Sequence, residues 1–271
     1  MATVLEYAYL SSDVYVENKN GTYINDYYVP ECDVINANWV GLPAKHEKRL
    51  PVPKPELAFF ARLYANRVTK ETVIAYRGTV ASRRTIGDFI ADIDLSIKKW
   101  SEQDTQAEEF YQWAKKYLAN YNPDQFSLFP SFTGHSLGGY LAQLVAAQNP
   151  GNPAVVFNAP GIGKFKDHYI GYIKPDNPIY KRFIYNYDLN TDIIHHTGTL
   201  IGNQKILSGD PLPPLPSMLF KAPYDTIRTG LSIAFYEFNF VKFSTVSEHA
   251  ISRMISALAA KPKLANKIIY P

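Results

Sequence analysis

Cysteine and net charge are both scarce in this sequence. Its 271 residues include one cysteine, Cys32, which excludes an internal disulfide framework and argues against a cysteine-ligated zinc cluster. A lone thiol is more typical of a buried apolar position than of a nucleophile. The net charge of +3 is too small to predict nucleic acid as a partner. The hydrophobic content of 46% with 20% charged residues is typical of a globular chain with a sizeable core.

The chain also lacks the segments that direct proteins into or across a membrane. Met1–Tyr7 has no basic residue and carries Glu6, which argues against a cleavable signal peptide. No uncharged run reaches the roughly 18 residues that a membrane span requires. The most apolar stretch, Leu231–Phe243, is interrupted by Glu237 and Lys242 and is interpreted as core or as a surface that touches lipid. We therefore expect a cytoplasmic protein, or one exported without a cleavable signal peptide.

Apolar periodicity predicts strands that alternate with helices. This alternation predicts an α/β fold with a mostly parallel central sheet and helices on both faces. No repeat or long linker divides the sequence, so we expect a single domain over residues 1–271. The predicted helices are Thr3–Val16, Glu102–Asn120, Ser136–Asn149 and Ser247–Ala260. The predicted strands are Leu57–Tyr64 and Thr72–Arg77, which are expected to form a hairpin, then Phe126–Thr133 with a break at Pro130, Ala154–Asn158 and Ile179–Tyr187.

The most informative pattern is Gly-His-Ser-Leu-Gly at residues 134–138. In a G-x-S-x-G pattern, a sharp turn between a strand and a helix lifts the serine hydroxyl above the sheet edge, in a strained conformation that only small neighbours permit. A bare match arises by chance in about one chain of this length in ten. Here an apolar segment precedes the pattern and a helical segment follows it. The context predicts Ser136 as a nucleophile, and the alternative is a plain glycine turn.

A nucleophilic serine needs an imidazole that removes its proton and a carboxylate that orients the imidazole. In the strand–turn–helix arrangement these partners follow in the order serine, acid, histidine. Of the six histidines, His249 fits this order best, because it lies at the predicted start of the last helix. His195 and His196 are the alternatives, and they are also interpretable as polar loop residues.

Two aspartates are candidates for the acid. Asp188 and Asp192 both follow the predicted strand Ile179–Tyr187, at the end where a parallel sheet delivers catalytic side chains. Asp192 is favoured because the apolar residues after it can anchor its loop. Asp188 lies closer to the strand and is the alternative, since it can instead cap a turn.

The oxyanion that forms on the attacked carbonyl requires fixed N–H donors, each worth about 3 kcal/mol. One donor is predicted to be the backbone N–H of Leu137, the residue after the nucleophile. The second is sought after an upstream strand, where Gly78 and Thr79 follow Thr72–Arg77. Thr79 can offer its N–H and its hydroxyl. An ordinary turn at the end of the strand is the alternative interpretation.

Residues 81–97 contain a further amphipathic pattern. Apolar residues recur there at helical spacing and are flanked by Arg83-Arg84 and by Lys98-Lys99-Trp100, which suits a lipid interface. A helix packed on the core is an equally good interpretation of the spacing. Asp88, Asp92 and Asp94 lie in the same stretch, but such a triplet rarely makes a calcium site. We expect neither a metal nor another cofactor.

Together, these motifs resemble the class 3, or fungal-type, triacylglycerol lipases of the α/β-hydrolase superfamily, and also the bacterial lipase-like branch of that group. The resemblance spans about Leu57 to the C terminus and lies, in the family's order, in Arg77-Gly78-Thr79, Gly87–Asp92, Thr133–Gly139, Asn190–Ile193 and His249. It implies an α/β-hydrolase fold, Thr79 as an oxyanion donor, a short lid at about 81–97 and Asp192 as the acid. The sequence departs from the family in lacking a signal peptide and disulfides, and in carrying Phe89 where tryptophan is frequent.

The expected function is that of a serine carboxylic-ester hydrolase. The enzyme is expected to cleave acyl esters of lipids through an acyl-enzyme, as a triacylglycerol lipase or a phospholipase A does, at a membrane or lipid-droplet interface. Three alternatives remain open on the sequence. They are a soluble carboxylesterase, a phospholipase toxin effector, and a catalytically dead hydrolase fold that binds lipid or a partner protein.

Overall fold

The computed structural model of the chain describes most of the predicted helices and strands. The described residues are 2–15, 38–42, 59–78, 102–121, 125–162, 173, 177–190, 192, 194–208 and 244–269, with the backbone alone at 121 and 244–250. Thr79, the candidate lid at 81–97, the apolar stretch Leu231–Phe243 and Cys32 lie outside the described residues, as does the side chain of His249.

A seven-stranded sheet forms the centre of the fold, and its strands lie side by side in chain order. The pairs β1–β2 and β2–β3 are antiparallel, whereas all neighbouring strands from β3 to β7 are parallel. The mostly parallel sheet predicted from the sequence is therefore confirmed. The strands are β1 (Trp39–Gly41), β2 (Ala61–Asn66), β3 (Thr72–Tyr76), β4 (Ser131–His135), β5 (Ala154–Phe157), β6 (Ile184–Leu189) and β7 (Asn203–Leu207).

Helices cover both faces of the sheet. They are α1 (Val4–Asp13), α2 (Glu102–Tyr121), α3 (Leu137–Gln148), α4 (Ser244–Ala259) and the short α5 (Pro262–Ala265). Helices α2 and α3 bury one hydrophobic cluster against the sheet, and α1, α4 and α5 bury a second cluster against the opposite face. The predicted three-layer arrangement is therefore confirmed. Among the described residues, none of the helices is both long and apolar enough to cross a bilayer.

Helix α1 begins where its sequence provides a capping box. The Thr3 hydroxyl accepts a hydrogen bond from the Glu6 N–H at 3.2 Å, and the Glu6 carboxylate accepts one from the Thr3 N–H at 2.7 Å. The other carboxylate oxygen of Glu6 accepts a hydrogen bond from the Trp39 indole at 3.0 Å. The start of α1 is thereby tied to the edge strand β1.

Hydroxyl groups join α1 to β4, the strand that leads to Ser136. The Tyr7 hydroxyl donates to Ser131 Oγ at 2.9 Å, and one helical turn later Ser11 Oγ lies 2.8 Å from Thr133 Oγ1. Four residues of helix rise about 6 Å and two residues of strand rise nearly 7 Å, so the two elements stay in step. The N-terminal helix is therefore held at two positions to the strand that leads to Ser136.

Three predicted strands have different boundaries in the structure. The strand predicted over Leu57–Tyr64 runs over Ala61–Asn66. The strand predicted over Phe126–Thr133 begins only at Ser131, because Pro130 has no N–H for the ladder, and Phe129 before it is 72% exposed. The strand predicted over Ile179–Tyr187 begins only at Ile184, because Asn177 caps a 3₁₀ turn over Pro178–Arg182. This strand runs on to Leu189, so Asp188 lies inside β6 and not after it.

The last helix also differs from its predicted extent. It begins at Ser244, upstream of the predicted start near Ser247, so His249 lies within the second turn of the helix and not at the junction with the preceding loop. The predicted apolar stripe on this helix is confirmed. Its members Ile251, Met254, Ile255 and Leu258 are all buried in the cluster shared with α1.

Candidate active site

Ser136 lies at the turn between β4 and α3, with φ 57° and ψ −130°. Positive φ is uncommon outside glycine, and residues held in such conformations concentrate at functional sites. The Ser136 N–H donates to the Phe157 carbonyl of β5 at 3.0 Å, and the Ser136 carbonyl accepts from the N–H groups of Gly139 and Tyr140. The strand–turn–helix context predicted for Ser136 is therefore confirmed, and hydrogen bonds on both sides hold the strained backbone.

The two glycines of the pattern are required by packing. A Cβ on Gly138 would overlap the carbonyl oxygen of Tyr76 in β3, and a Cβ on Gly134 would overlap the backbone of Gly138 itself. The first turn of α3 therefore rests directly on the backbones of β3 and β4. Any larger residue at these two positions would push the helix, and Ser136 with it, away from the sheet.

The Ser136 hydroxyl is buried and has no hydrogen-bond partner among the described residues, which leaves it available to a base. Leu137, the predicted oxyanion donor, is the first residue of α3, where backbone N–H groups lack partners within the helix. The positive end of the helix dipole favours negative charge at the same place. The arrangement provides a nucleophile and one donor for an oxyanion.

His135 is packed beneath this turn. Burial lowers the pKa of its imidazole to about 4, so the ring is neutral at physiological pH. It is 3% exposed, and no described residue accepts or donates a hydrogen bond at its Nε2. His135 is therefore a buried neighbour of Ser136, and its ring packs edge-on against that of Tyr15.

The two candidate acids lie close together but differ in environment. Asp188, inside β6, is fully buried, and its Oδ2 accepts a hydrogen bond from Gln204 of β7 at 2.9 Å. Burial raises its pKa to about 6, although the Gln204 amide and the Ala159 N–H favour the ionised form. Asp192 follows the strand in a turn closed by its own N–H to the Leu189 carbonyl at 3.0 Å. It is only partly buried.

Asp192 is held by the loop that it begins. Its Oδ1 accepts a hydrogen bond from the Ile194 N–H at 2.8 Å, and Ile194 is buried, as the predicted apolar anchor requires. The pKa of the Asp192 carboxyl is raised to about 7, mainly by burial and also by the charge of Asp188, although the hydrogen bond from the Ile194 N–H opposes the shift. Asp192 thus lies beyond the end of β6, whereas Asp188 lies within β6 and accepts a hydrogen bond from Gln204 of β7.

His195 and His196, the alternative bases, belong to the same loop. Burial lowers the pKa of His195 to about 4, helped by His196, while a hydrogen bond with the Asp192 backbone opposes the shift. The two imidazole rings lie with their centroids 3.9 Å apart. His195 supports the turn that carries Asp192, in line with the loop interpretation of this pair.

Sequence analysis missed Asn158, which joins the strand ends beside the site. It follows β5 with φ 46°, a conformation that asparagine tolerates better than most residues. Its Oδ1 accepts a hydrogen bond from the Leu189 N–H at 2.8 Å, which ties β5 to the end of β6. The signal that could have indicated this role is the position of the asparagine, directly after a buried strand.

The described part of the chain contains no group of three or more His, Cys, Asp or Glu side chains that could hold a metal ion.

Fold and site together define a serine hydrolase of the α/β-hydrolase type. A sequence model of the Tle-like phospholipase domain, described as phospholipase-like, matches residues 6–209. The chain therefore belongs to this family. Membership confirms the predicted class of enzyme, a hydrolase of lipid esters. No curated protein sequence matches the chain.

Several solved structures are similar to this chain. Nonglycosylated LIP2 lipase from Yarrowia lipolytica superposes with a TM-score of 0.50 and 18% identity, over 78% of this chain and 81% of that one. A mutant of MDLA from Penicillium cyclopium gives 0.49 with 14% identity, over 79% and 81% of the two chains. Lipase from Rhizopus microsporus var. chinensis gives 0.46 with 14% identity, over 77% and 74%. At 18% identity, the likeness to the Yarrowia lipolytica lipase concerns the fold alone, and it agrees with the predicted α/β-hydrolase fold.

The raised pKa of Asp192 predicts a pH-dependent contribution to stability. Between pH 3.8, the ordinary value, and about 7, the folded protein keeps a proton on Asp192 that the unfolded chain has released. Unfolding then releases a proton, so the contribution of Asp192 to stability is lost as the pH rises through this window. Asp192→Asn removes this loss. Relative to wild type, the variant should gain stability as the pH rises from about 4 to 7, measured by urea denaturation.

Asn190→Ala is the matched control, a neutral change in the same turn, and its effect on the free energy of unfolding should be the same at every pH. Parallel stability curves for Asp192→Asn and wild type would contradict the prediction.

Proposed function

We propose that this protein hydrolyses the acyl esters of phospholipids through an acyl-enzyme on Ser136, with His249 as the base and Asp192 as the carboxylate that orients it. The observation that carries the proposal is the strained, buried Ser136, whose hydroxyl has no partner among the described residues and whose helix begins with the Leu137 N–H. The order serine, acid, histidine along the chain supports the other two roles.

In the proposed mechanism, His249 Nε2 removes the proton from Ser136 Oγ as Oγ attacks the ester carbonyl. The carbonyl oxygen becomes an oxyanion that accepts hydrogen bonds from the Leu137 N–H and from Thr79. Collapse of this intermediate breaks the bond to the alcohol, which takes the proton from His249 and leaves as the lysophospholipid. Water, deprotonated by His249, then attacks the acyl-enzyme and releases the fatty acid and free Ser136.

Asp192 supports this cycle through its position. Its backbone turn and its bond from Ile194 fix the carboxylate just beyond the end of β6, at the sheet edge that also carries Ser136. A carboxylate there can accept a hydrogen bond from His249 Nδ1 and stabilise the imidazolium. Asp188 and Asp192 each accept one such hydrogen bond, from Gln204 and from the Ile194 N–H, so the choice rests on position. Asp188 lies inside β6, whereas Asp192 follows the end of the strand.

The family match favours phospholipids among the lipid esters. The basic residues Arg83-Arg84 and Lys98-Lys99, on either side of the apolar residues of the candidate lid, favour a surface that carries phosphate groups. In this proposal, residues 1–271 form one domain, and the enzyme acts at a membrane or lipid-droplet interface, in the cytoplasm or after export.

Replacing the nucleophile tests the reaction. Ser136→Ala should lose essentially all esterase activity on a short p-nitrophenyl ester, and all labelling by a fluorophosphonate probe, while its circular dichroism stays that of the wild type. Ser127→Ala, near the opposite end of β4, should keep both activity and labelling. Equal turnover by Ser136→Ala and wild type would exclude the mechanism, and an unlabelled, folded wild type would favour a binding protein.

The two aspartates are separated by neutral, isosteric changes. Asp192→Asn should lower kcat by about 10⁴-fold, because the amide holds the wrong imidazole tautomer. Asp188→Asn should stay active, and the acid limb of its kcat/KM profile should move to lower pH because the charge that raises the pKa of Asp192 is gone. If Asp188→Asn is the inactive enzyme and Asp192→Asn is merely less stable, the assignment of the acid is wrong.

A substrate series tests the lipid class. Fatty-acid release should be faster from phospholipid vesicles than from emulsified triacylglycerol, and faster from either than from short soluble esters. The series is measured by mass spectrometry of the products, with Ser136→Ala as the blank. A preference for acetate esters without activation at an interface would contradict the lipid assignment.

A further inference from the structure

Tyr15 follows the C-terminal end of α1 and extends the contacts of that helix with β4. Tyr7 and Ser11 meet Ser131 and Thr133, and Tyr15, one more turn along, reaches His135 at the end of the strand. We infer that Tyr15 is a positioning residue for the oxyanion hole, because its hydroxyl holds the end of β3 against the nucleophile turn. The inference rests on the proposed function.

One hydroxyl bridges two backbone segments of the site. Tyr15 Oη accepts a hydrogen bond from the Gly78 N–H at 3.0 Å and donates to the His135 carbonyl at 3.4 Å. Gly78 lies just after β3 and immediately precedes Thr79, the candidate oxyanion donor. The His135 carbonyl belongs to the peptide bond that leads into Ser136. Tyr15 thus connects the backbone that presents the donor with the backbone that presents the nucleophile.

The space around Gly78 leaves little room for any other arrangement. A Cβ on Gly78 would lie 2.5 Å from the Tyr15 hydroxyl, 2.7 Å from the His135 carbonyl oxygen and 3.3 Å from the Gly138 nitrogen. The end of β3 is therefore enclosed between Tyr15 and the first turn of α3. Without the hydroxyl, the buried Gly78 N–H would lose its partner, and the strand end would lose the contact that sets its distance from the turn.

This contact also indicates which N–H serves the oxyanion. The Gly78 N–H is bonded to Tyr15, so it is not free to meet a substrate oxygen. Because a planar peptide bond joins Gly78 to Thr79, holding the Gly78 backbone in place restricts how far the next N–H can move. Stabilisation of an oxyanion depends on donors that are held in place before the reaction, and displacement of a donor by about 1 Å costs about 10²-fold in rate.

Tyr15 keeps its proton throughout the working range of the enzyme. Burial raises its pKa to about 12, although the Gly78 N–H and the nearby Arg77 favour the phenolate. The hydroxyl can thus act as donor and acceptor at once at neutral pH. A positioning role of this kind changes the height of a pH–rate profile and leaves its shape unaltered.

The test compares Tyr15→Phe with Tyr7→Phe. Each variant removes one tyrosine hydroxyl that contacts β4. Tyr15 reaches the last residue of the strand, His135, whereas Tyr7 of α1 contacts Ser131 at its start, remote from Ser136. Tyr15→Phe should lower kcat on a short soluble ester by about 10- to 100-fold, with little change in KM and with unshifted pKa values in the pH profile. Tyr7→Phe should keep kcat within about twofold and lower only the melting temperature.

Hydrogen exchange of the Gly78 amide provides a readout that does not depend on turnover. The amide should exchange faster in Tyr15→Phe than in wild type and in Tyr7→Phe. Equal exchange rates in the three proteins, or a kcat of Tyr15→Phe equal to that of Tyr7→Phe, would overturn the inference. Wild-type turnover that persists in Ser136→Ala would instead contradict the proposed function, so the two failures are distinguishable.

Discussion

The backbone of Gly138 rests directly on the last residues of β3, and the geometry of the site depends on that contact. It brings the first turn of α3 against the end of β3, which precedes Thr79. Ser136, the single residue between β4 and α3, has positive φ. Such backbone strain costs on the order of 1–3 kcal/mol and persists only where the surroundings over-determine it. Here α3 is buried along nearly its whole length, so packing of the helix holds the strained serine in place.

A second constraint comes from the N-terminal helix. Its contacts with β4 join residues more than 120 positions apart, Tyr7 with Ser131 and Ser11 with Thr133. The Thr133 hydroxyl also lies 3.3 Å from the Tyr7 carbonyl oxygen, and sliding the helix by one turn would leave these hydroxyls buried without partners. Together, these polar contacts favour one register of α1 on the strand that leads to Ser136.

Local patterns explain which parts of the fold were predictable. Helices α2 and α3, the β2–β3 hairpin and the strand–turn–helix around Ser136 are encoded by periodicity and glycines within short segments. The edge strand β7 is mostly exposed and carries no apolar alternation, so its pairing with β6 is not visible in the sequence. Asn158 and Tyr15 were missed because their partners are distant along the chain. The choice between Asp188 and Asp192 turned on where β6 ends, a boundary that depends on pairing with β7.

Burial brings the titrating groups of the site toward their neutral forms. The pKa values of Asp188 and Asp192 are raised, and those of His135 and His195 are lowered, in each case mainly by desolvation. Between about pH 4 and 6, unfolding releases protons from the two carboxyls and takes up protons on the two imidazoles, so the linkages oppose each other. For these four groups, the pH-dependent contributions to stability therefore offset one another in this range. The proposed reaction has no such compensation, because it depends on the ionisation of a single carboxylate that stabilises the imidazolium.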